Sequence, residues 1–331
     1  MVIDSQRDRG MKSRNILFFA AIMMTACTGK KNDSGLNLEN MNQTVRPGDN
    51  FYEYSDGGWM KNHPLTAEYS SYGSFDELAE LNRQQLKDLI DGIVSSDNKP
   101  GTNAQKIADL YNLVLDTARR NSEGIEPLKS VLDRIGQIKT RQDYFDALTD
   151  LDPYGAVCFF GIGIGADMMD SRKNIVGLSQ GGLSLGSREQ YFDEDDATKA
   201  NREAFRRHVV RMFCLVGNDE QTAEAKMQAV WNIEMQIAEK SYTRVMLRDP
   251  KANYHKMSVE QLKKDFAGFD WDMFFSRLGL DGVDSVDVGQ PEPIREAIAI
   301  INNASVDDLK SVMEWQVIDA SASSLTTELD E

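Results

Sequence analysis

Residues 219–241, DEQTAEAKMQAVWNIEMQIAEKS, carry apolar side chains at the three- and four-residue spacing that forms one face of an α-helix. The apolar face consists of Met227, Val230, Ile233, Ile237 and Ala238. The pattern predicts one long helix with a single side turned towards a core.

Helical signals continue on both sides of this stretch. In SFDE, residues 74–77, Ser74 is predicted to cap a helix and Glu77 to reach back to the cap N–H, as in a capping box. Similar starts are predicted at Thr140, Ser258 and Ser305. Two more apolar stripes have helical spacing: Phe75, Leu78, Leu81, Leu86, Leu89, Ile90 and Ile93, and then Ile107, Leu110, Tyr111, Val114, Leu115 and Ala118.

One region, residues 155–187, is rich in Gly, Val and Ile and lacks the helical spacing. Residues 159–166 and 174–179 are predicted to form an antiparallel strand pair joined by a polar turn. Alternating Gly161, Gly163 and Gly165 do not lead into a helix, as a phosphate-binding loop would, so they predict close backbone packing. The fold class is therefore mainly α, with a small antiparallel β element near 155–187.

Composition and charge narrow the function classes. The 331 residues carry a net charge of −16, which repels phosphate backbones, so a nucleic acid partner is not expected. Only three histidines and three cysteines occur, with no CxxC or HxxxH spacing, and we expect no metal site or cofactor in this chain. The acidic run at 189–196 lacks the spacing of a calcium loop and fits a helix start. Cys158 and Cys214 lie in apolar runs and are expected to be buried.

Residues 11–27, MKSRNILFFAAIMMTAC, have the layout of an export signal. Lys12 and Arg14 precede a short apolar run, and small residues lead to Cys27. The arrangement resembles the lipobox of bacterial lipoproteins. It predicts a signal peptide over 1–26, with Met11 as a second candidate for the start, and a lipid on Cys27. A plain secretory signal is the alternative. Residues 27–45 would then tether an exported protein to the membrane of the bacterial cell envelope.

Several segments, in order, carry a resemblance to a known family. They are DNFYEYSDGGW at 49–59, YGSFDEL at 72–78, SQGGLSLGSREQY at 179–191 and AVWNIEMQIAEKSYTRVMLRDPKANY at 229–254. Together they resemble the N-terminal region of neprilysin-type metallopeptidases, from about residue 46 onward. The resemblance implies two lobes, and a polar join near Asp249-Pro250 predicts where they meet. A helical region over 46–248 would pack on the catalytic lobe, and 249–331 would start a covering helical lobe.

The resemblance also implies zinc endopeptidase activity on peptides. In that family an HExxH helix supplies two zinc ligands and a catalytic Glu, and no HExxH occurs in this sequence. We therefore expect no catalytic or metal-binding residue here, zinc being the metal of the full-length family. The last residues, 326–331, lack a helix stop signal, so the chain is expected to be truncated within the covering lobe and to be inactive alone.

The YGSFDEL segment implies a substrate contact. In neprilysin-like enzymes the Phe of this segment lines the pocket for the residue after the cut, with the Asp nearby, and these positions match Phe75 and Asp76. A purely structural role, opening an amphipathic helix, is the alternative. Neprilysin has an Arg where Ser71 stands and a Cys where Asp56 stands, which favours plain endopeptidase behaviour and excludes that disulfide. Peptides are expected as partners if a catalytic half is supplied; otherwise the chain would be a non-enzymatic peptide- or protein-binding lipoprotein.

Overall fold

The structure, a computed structural model, describes residues 36–331. The predicted signal peptide at 1–26, the lipidation site Cys27 and the tether residues up to 35 lie outside this range. Contacts between residues divide the chain into two compact units, one ending at Gln105 and one spanning Lys106–Glu331. Within the described range, no helix combines the length and the apolar character needed to cross a membrane.

Most of the described chain is helical, which confirms the mainly-α prediction. In chain order the helices are α1 Phe51–Asn62, α2 Ser74–Val94, α3 Asn103–Leu115, α4 Thr117–Glu123, α5 Glu126–Gly136, α6 Arg141–Asp150, α7 Arg188–Phe192, α8 Asp196–Leu215, α9 Glu220–Lys240, α10 Val259–Asp265, α11 Trp271–Arg277, α12 Pro291–Asn303, α13 Val306–Ser321 and α14 Thr327–Asp330. Short 3₁₀ turns occur at Leu38–Asn40, Asp152–Tyr154, Met246–Arg248 and Ala322–Ser324.

Helix caps follow the local chemistry of the sequence. The side chains of Thr140, Asp219, Ser258 and Ser305 each accept a hydrogen bond from a backbone N–H three residues on. These contacts begin α6, α9, α10 and α13, and they confirm the predicted starts. The long helix predicted over 219–241 is α9. At the other end of the second unit, α13 stops at Ser321 and Thr326 caps a separate short helix, so residues 306–331 are not one continuous helix.

The start of α2 differs from the prediction by one residue. Gly73 occupies the cap position, and its N–H donates to the Asp76 carboxylate at 2.7 Å. Ser74 is the first helical residue. Glu77, predicted to reach back to the cap, instead accepts from the Trp59 indole. Asp76 takes the place predicted for Glu77, because from the third helical position its carboxylate reaches the N–H of Gly73.

Residues 36–45, the last part of the predicted tether, are not free chain. The Asn42 N–H donates to the Tyr54 carbonyl at 2.9 Å, and its side chain donates to the Glu53 carboxylate at 2.8 Å. A Cβ added to Gly58 would lie 2.2 Å from the Glu39 carbonyl oxygen. Residues 36–45 therefore lie directly on α1 at the two glycines before Trp59. A side chain at Gly58 would collide with backbone, and one at Gly57 would collide with the side chains of Glu53 and Asn42.

A four-stranded sheet occupies the second unit, in the order β1-β2-β4-β3. Its strands are β1 Phe160–Asp167, β2 Asp170–Gln180, β3 Lys256–Ser258 and β4 Ser285–Val288. β1 and β2 pair antiparallel, with Phe160 opposite Gln180, which confirms the predicted hairpin. β4 then adds to β2 in parallel, with Val176 opposite Val286, and to β3 in antiparallel register. The sheet is thus mixed and larger than the predicted pair.

Segments before and after residue 249 therefore belong to one sheet and one compact unit. The lobe boundary at 248/249, at the polar join near Asp249-Pro250, stays a prediction. One cluster of buried apolar side chains, drawn from the sheet and from α5, α6, α8, α9, α12 and α13, forms the core of this unit. Aromatic rings contribute much of it; Phe269 and Trp271, for example, lie 4.6 Å apart between ring centroids.

Two expectations about small residues need correction. Cys158 is buried as predicted, but Cys214 is exposed, because on α8 it follows Phe213, which faces the core, and one residue turns a helical side chain by about 100°. Among the strand glycines, Gly161 does pack closely, since an added Cβ would lie 2.7 Å from the Ser179 hydroxyl. Gly163 and Gly165 face open space, so close packing does not explain them.

Candidate peptide-contacting site

Phe75 and Asp76 adjoin in sequence but have different surroundings. Phe75 lies in the first turn of α2 with 87% of its surface exposed, the highest exposure of any large apolar side chain in the described range. Asp76 is half-buried, and one of its oxygens holds the Gly73 N–H. Phe75 is thus exposed, whereas Asp76 has a structural role at the helix start; a substrate contact by either residue stays a prediction.

An aromatic stack fixes the chain between α1 and α2. The Trp59 ring lies 4.5 Å from the His63 ring at an interplanar angle of 18° and 6.0 Å from the Tyr72 ring. Tyr69 meets Tyr72 edge to face at 5.0 Å. Such ring pairs favour one relative geometry, so the loop that precedes Phe75 is held in place although little of it is buried.

Carboxylates of α2 bind the polar edges of this stack. Glu77 accepts from the Trp59 indole N–H at 3.1 Å, and its other oxygen lies 3.7 Å from the His63 Nε2. The His63 Nδ1 lies 2.9 Å from the Trp59 carbonyl, so it carries a proton and donates to that oxygen. Glu80 accepts from the Tyr69 hydroxyl and from Arg83, and these contacts hold the pKa of Glu80 below its usual range.

Beside the stack is an open pocket of about 370 Å³. It is lined by His63, Pro64, Thr66, Glu68, Tyr69, Tyr72 and Glu80. Its walls are therefore aromatic and acidic, and they come entirely from the segment that joins α1 to α2 and from the first turns of α2.

Glu234, in the fourth family-like segment, is a buried carboxyl group in the second unit. Only 2% of its surface is exposed, and it accepts from the Ser184 hydroxyl at 2.6 Å and the Tyr191 hydroxyl at 2.5 Å. The Trp315 indole donates to the Ser184 oxygen at 2.9 Å. Burial raises the pKa of Glu234 to about 7, and the two hydroxyl donors offset only part of that rise. The network joins α9, α13 and the segment after β2.

Asp167 is a second buried carboxylate, at the tip of the β1–β2 hairpin. It accepts from Lys256 at 2.6 Å, from Tyr254 at 2.7 Å and from the Met169 N–H at 2.9 Å. These donors, the Lys256 ammonium above all, hold the pKa of Asp167 well below its usual range. The Tyr that ends the RDPKANY stretch therefore anchors the hairpin.

Other residues of the family-like segments are also structural. The Gln180 side chain both accepts from the Tyr242 N–H at 2.7 Å and donates to the Tyr242 carbonyl at 3.2 Å. Arg188 donates to the carbonyls of Ala238 and Glu239, each at 2.6 Å, and so satisfies the end of α9. In this part of the chain the shared segments hold helices and strands together.

Zinc does not fit the residues available. Across residues 36–331, no group of three or more His, Cys, Asp or Glu side chains is placed to hold a metal ion. The His255 Nδ1 contacts the Val288 carbonyl at 2.8 Å, and His208 packs against the Trp315 ring. No step of peptide hydrolysis is therefore assigned to these residues.

The helical fold and the ordered segments are those that the resemblance to the N-terminal region of neprilysin-type metallopeptidases implies. Comparison with known proteins agrees. The N-terminal region of peptidase family M13 matches residues 47–331, and the chain belongs to this family, whose members are zinc metalloproteases.

Two animal relatives illustrate the sequence similarity. The chain is 25% identical to endothelin-converting enzyme 1 of Mus musculus over 303 residues, which is 87% of this chain and 38% of the relative. It is 27% identical to Neprilysin-3 of Drosophila melanogaster over 244 residues, covering 71% of this chain and 31% of that one. The chain thus spans less than half the length of these relatives.

Solved structures show the same fold. The zinc metalloprotease Zmp1 of Mycobacterium tuberculosis, in complex with an inhibitor, superposes with a TM-score of 0.80 at 28% identity over 89% of this chain and 45% of that one. PepO of Lactobacillus rhamnosis superposes with a TM-score of 0.68 at 19% identity, a likeness of fold alone.

Proposed function

We propose that this chain is the non-catalytic N-terminal part of an exported zinc endopeptidase that cleaves peptides, and that Phe75 contributes to the wall of the peptide-binding cleft. Family membership supports the reaction class, and the non-catalytic role is proposed from the sequence, which contains no HExxH motif. On its own the chain does not hydrolyse peptides.

The exposure of Phe75 carries the proposal. An aromatic side chain that is 87% exposed at the first turn of a helix offers apolar area to a ligand at small cost in conformational entropy, and the loop before it in sequence is held by the aromatic stack. Ser71, four residues earlier, is exposed and uncharged. A wall of this kind suits an apolar side chain within a longer peptide rather than a free C-terminal carboxylate.

Hydrolysis is the first test. The purified chain is incubated with a quenched fluorescent peptide and zinc chloride, and bound zinc is quantified after dialysis. We expect neither cleavage that a chelator abolishes nor stoichiometric zinc. Chelator-sensitive cleavage with one zinc per chain would contradict the non-catalytic role.

Peptide contact is tested by Phe75→Ala, with binding of fluorescein-labelled apolar peptides followed by anisotropy. Loss of the ring should weaken binding about tenfold, the effect of removing a well-placed aromatic contact. Leu89→Ala is the matched control, because Leu89 lies on the same helix and is 61% exposed. Equal effects of the two substitutions would remove Phe75 from the site.

Export and anchoring form a separate part of the proposal. Cys27 would carry the lipid that holds the protein to the membrane, as the sequence of residues 11–27 indicates. Metabolic labelling with radioactive palmitate should mark the chain and should fail to mark Cys27→Ser. Labelling of Cys27→Ser at the level of the parent would contradict lipidation at Cys27.

The second candidate is a non-enzymatic lipoprotein that binds peptides or a partner protein through the same wall. The continuous core of the second unit favours it, because such a core can support an independently stable protein. A cooperative thermal melt of the isolated chain would support this candidate, and aggregation would count against it. Co-purification of a separate chain that bears HExxH would instead indicate complementation by a catalytic half.

A further inference from the structure

We propose that the pocket formed by His63, Tyr69 and Tyr72, together with Glu68 and Glu80, binds the cationic side chain of an arginine or lysine residue. That the cation belongs to a peptide rests on the proposed function. The preference for a cation rests only on the pocket itself, whose residues all lie in the first compact unit.

The size and the walls of the pocket suit one long side chain. Its volume of about 370 Å³ is near the lower end of the range for small-molecule sites, which starts at roughly 300 Å³. Tyr69 and Tyr72 lie edge to face, so they present a ring face and a ring edge at an angle to each other. A guanidinium or ammonium group is attracted to ring faces, because the quadrupole of the ring places negative charge there.

Charge in the pocket favours the same ligand. Glu68 and Glu80 line it. Burial raises the pKa of the Tyr72 hydroxyl, and the negative charges of Glu80, Glu77 and Asp76 nearby raise it further. Arg83 is the cation that pairs with this group, and it lies 3.0 Å from Glu80. Negative charge is therefore in excess.

Glu68 is the most available of these carboxylates. Glu77 already accepts from Trp59, and Glu80 accepts from Tyr69 and Arg83. Glu68 has no hydrogen-bond or ion-pair partner among residues 36–331, and it is exposed to solvent. An entering cation can therefore gain an ion pair without breaking a contact that stabilises the fold.

Position along the chain connects the pocket to the peptide. Tyr72 comes three residues before Phe75, just before α2 begins. Phe75 and the pocket would then bind neighbouring residues of one peptide, an apolar side chain at Phe75 and a basic side chain in the pocket. A preference for peptides with a basic residue close to the cleaved bond follows.

The test uses the whole chain and two single-residue probes, N-acetylarginine amide and its neutral isostere N-acetylcitrulline amide, titrated by saturation-transfer NMR. We expect the arginine probe to bind about tenfold more tightly, as a cation–π contact and an exposed ion pair together allow. Glu68→Gln should reduce that ratio about threefold. Tyr69→Leu should reduce it further, because it removes a ring face.

Asp97→Asn is the matched control, because Asp97 is an exposed acid in the same unit and its loss changes the net charge equally. The ratio should be unchanged in this variant. Equal binding of the two probes, or an equal effect of Asp97→Asn and Glu68→Gln, would overturn the proposal. Phe75→Ala should leave the ratio unchanged, so a failure of the peptide-wall proposal is distinguishable from a failure of the cation pocket.

Discussion

The two compact units of the chain differ in whether their large apolar side chains are exposed or buried. In residues 36–105 the one fully buried residue is Gly57, while Phe51, Phe75 and Leu89 are among many exposed large apolar side chains. In residues 106–331 a continuous core runs through sheet and helices. The second unit is stabilised by burial of apolar area, whereas the first depends on caps, ring stacking and close backbone contact.

The largest expected effect tests this contrast directly. Phe213 is fully buried in the core of the second unit, so Phe213→Ala should lower the free energy of unfolding by about 3–5 kcal/mol. Leu89→Ala, in the first unit, should change it by less than about 0.5 kcal/mol. Urea unfolding followed by circular dichroism measures both. A loss above about 1 kcal/mol for Leu89→Ala would mean that the exposed stripe is packed in solution.

The second unit should also show a pH-dependent stability that comes from a carboxyl group buried in it, that of Glu234. The folded state holds the Glu234 proton up to a pKa of about 7, while the unfolded chain releases it near 4.5. The folded state therefore binds more protons between these values, and this carboxyl group makes stability fall as the pH rises from about 4.5 to 7, by up to ~3 kcal/mol.

Glu234→Gln should remove that fall and make the protein more stable than the parent at pH 8, measured as the urea midpoint across the pH range. Glu224→Gln on the same helix is the control, because Glu224 is exposed. A parent slope that persists unchanged in Glu234→Gln would place its origin at another group. The opposite dependence belongs to Asp167, whose contribution is present above the usual carboxyl pKa and is lost as the pH falls.

A smaller effect distinguishes backbone contact from helix propensity in the first unit. Gly→Ala within a helix ordinarily stabilises by about 0.5–1 kcal/mol, and Gly92→Ala in α2 should do so, because an added Cβ there meets nothing within 4 Å. Gly58→Ala should instead destabilise α1 by about 1–3 kcal/mol, since its Cβ would collide with the Glu39 carbonyl. Hydrogen exchange of residues 51–62 reports the change. Unchanged exchange of residues 51–62 in Gly58→Ala would contradict the contact between residues 36–45 and α1.

Local chemistry explains which parts of the fold could be predicted from the sequence. A Ser, Thr or Asp cap and the N–H it binds are three residues apart, so Thr140 and Asp219 could be identified without tertiary information. The β1–β2 hairpin has its partner strands adjacent in sequence. β3 and β4 have three and four residues, too few for a visible alternation, and they exist because distant strands pair with them.

The candidate site was harder to predict, because periodicity reports that apolar residues share a helix face and not whether that face is covered. Phe75 and Leu89 form such a stripe, yet both are exposed. Only the resemblance distinguished Phe75 from the rest. Glu234 was missed although a signal existed: it lies four residues after Val230, within the buried stripe of α9, where a charged side chain needs partners.

The parallel pairing of β2 with β4 has a consequence for how the chain is made. The Gln180 N–H binds the side chain of Gln290, 110 residues later, and Val176 faces Val286. During synthesis about 100 further residues must follow β2 before its parallel partner β4 leaves the ribosome. Pairings this distant in sequence form slowly, so the nascent second unit stays open for a long interval. Under the export proposed above, a chain that passes a channel as an extended polypeptide would benefit from that delay.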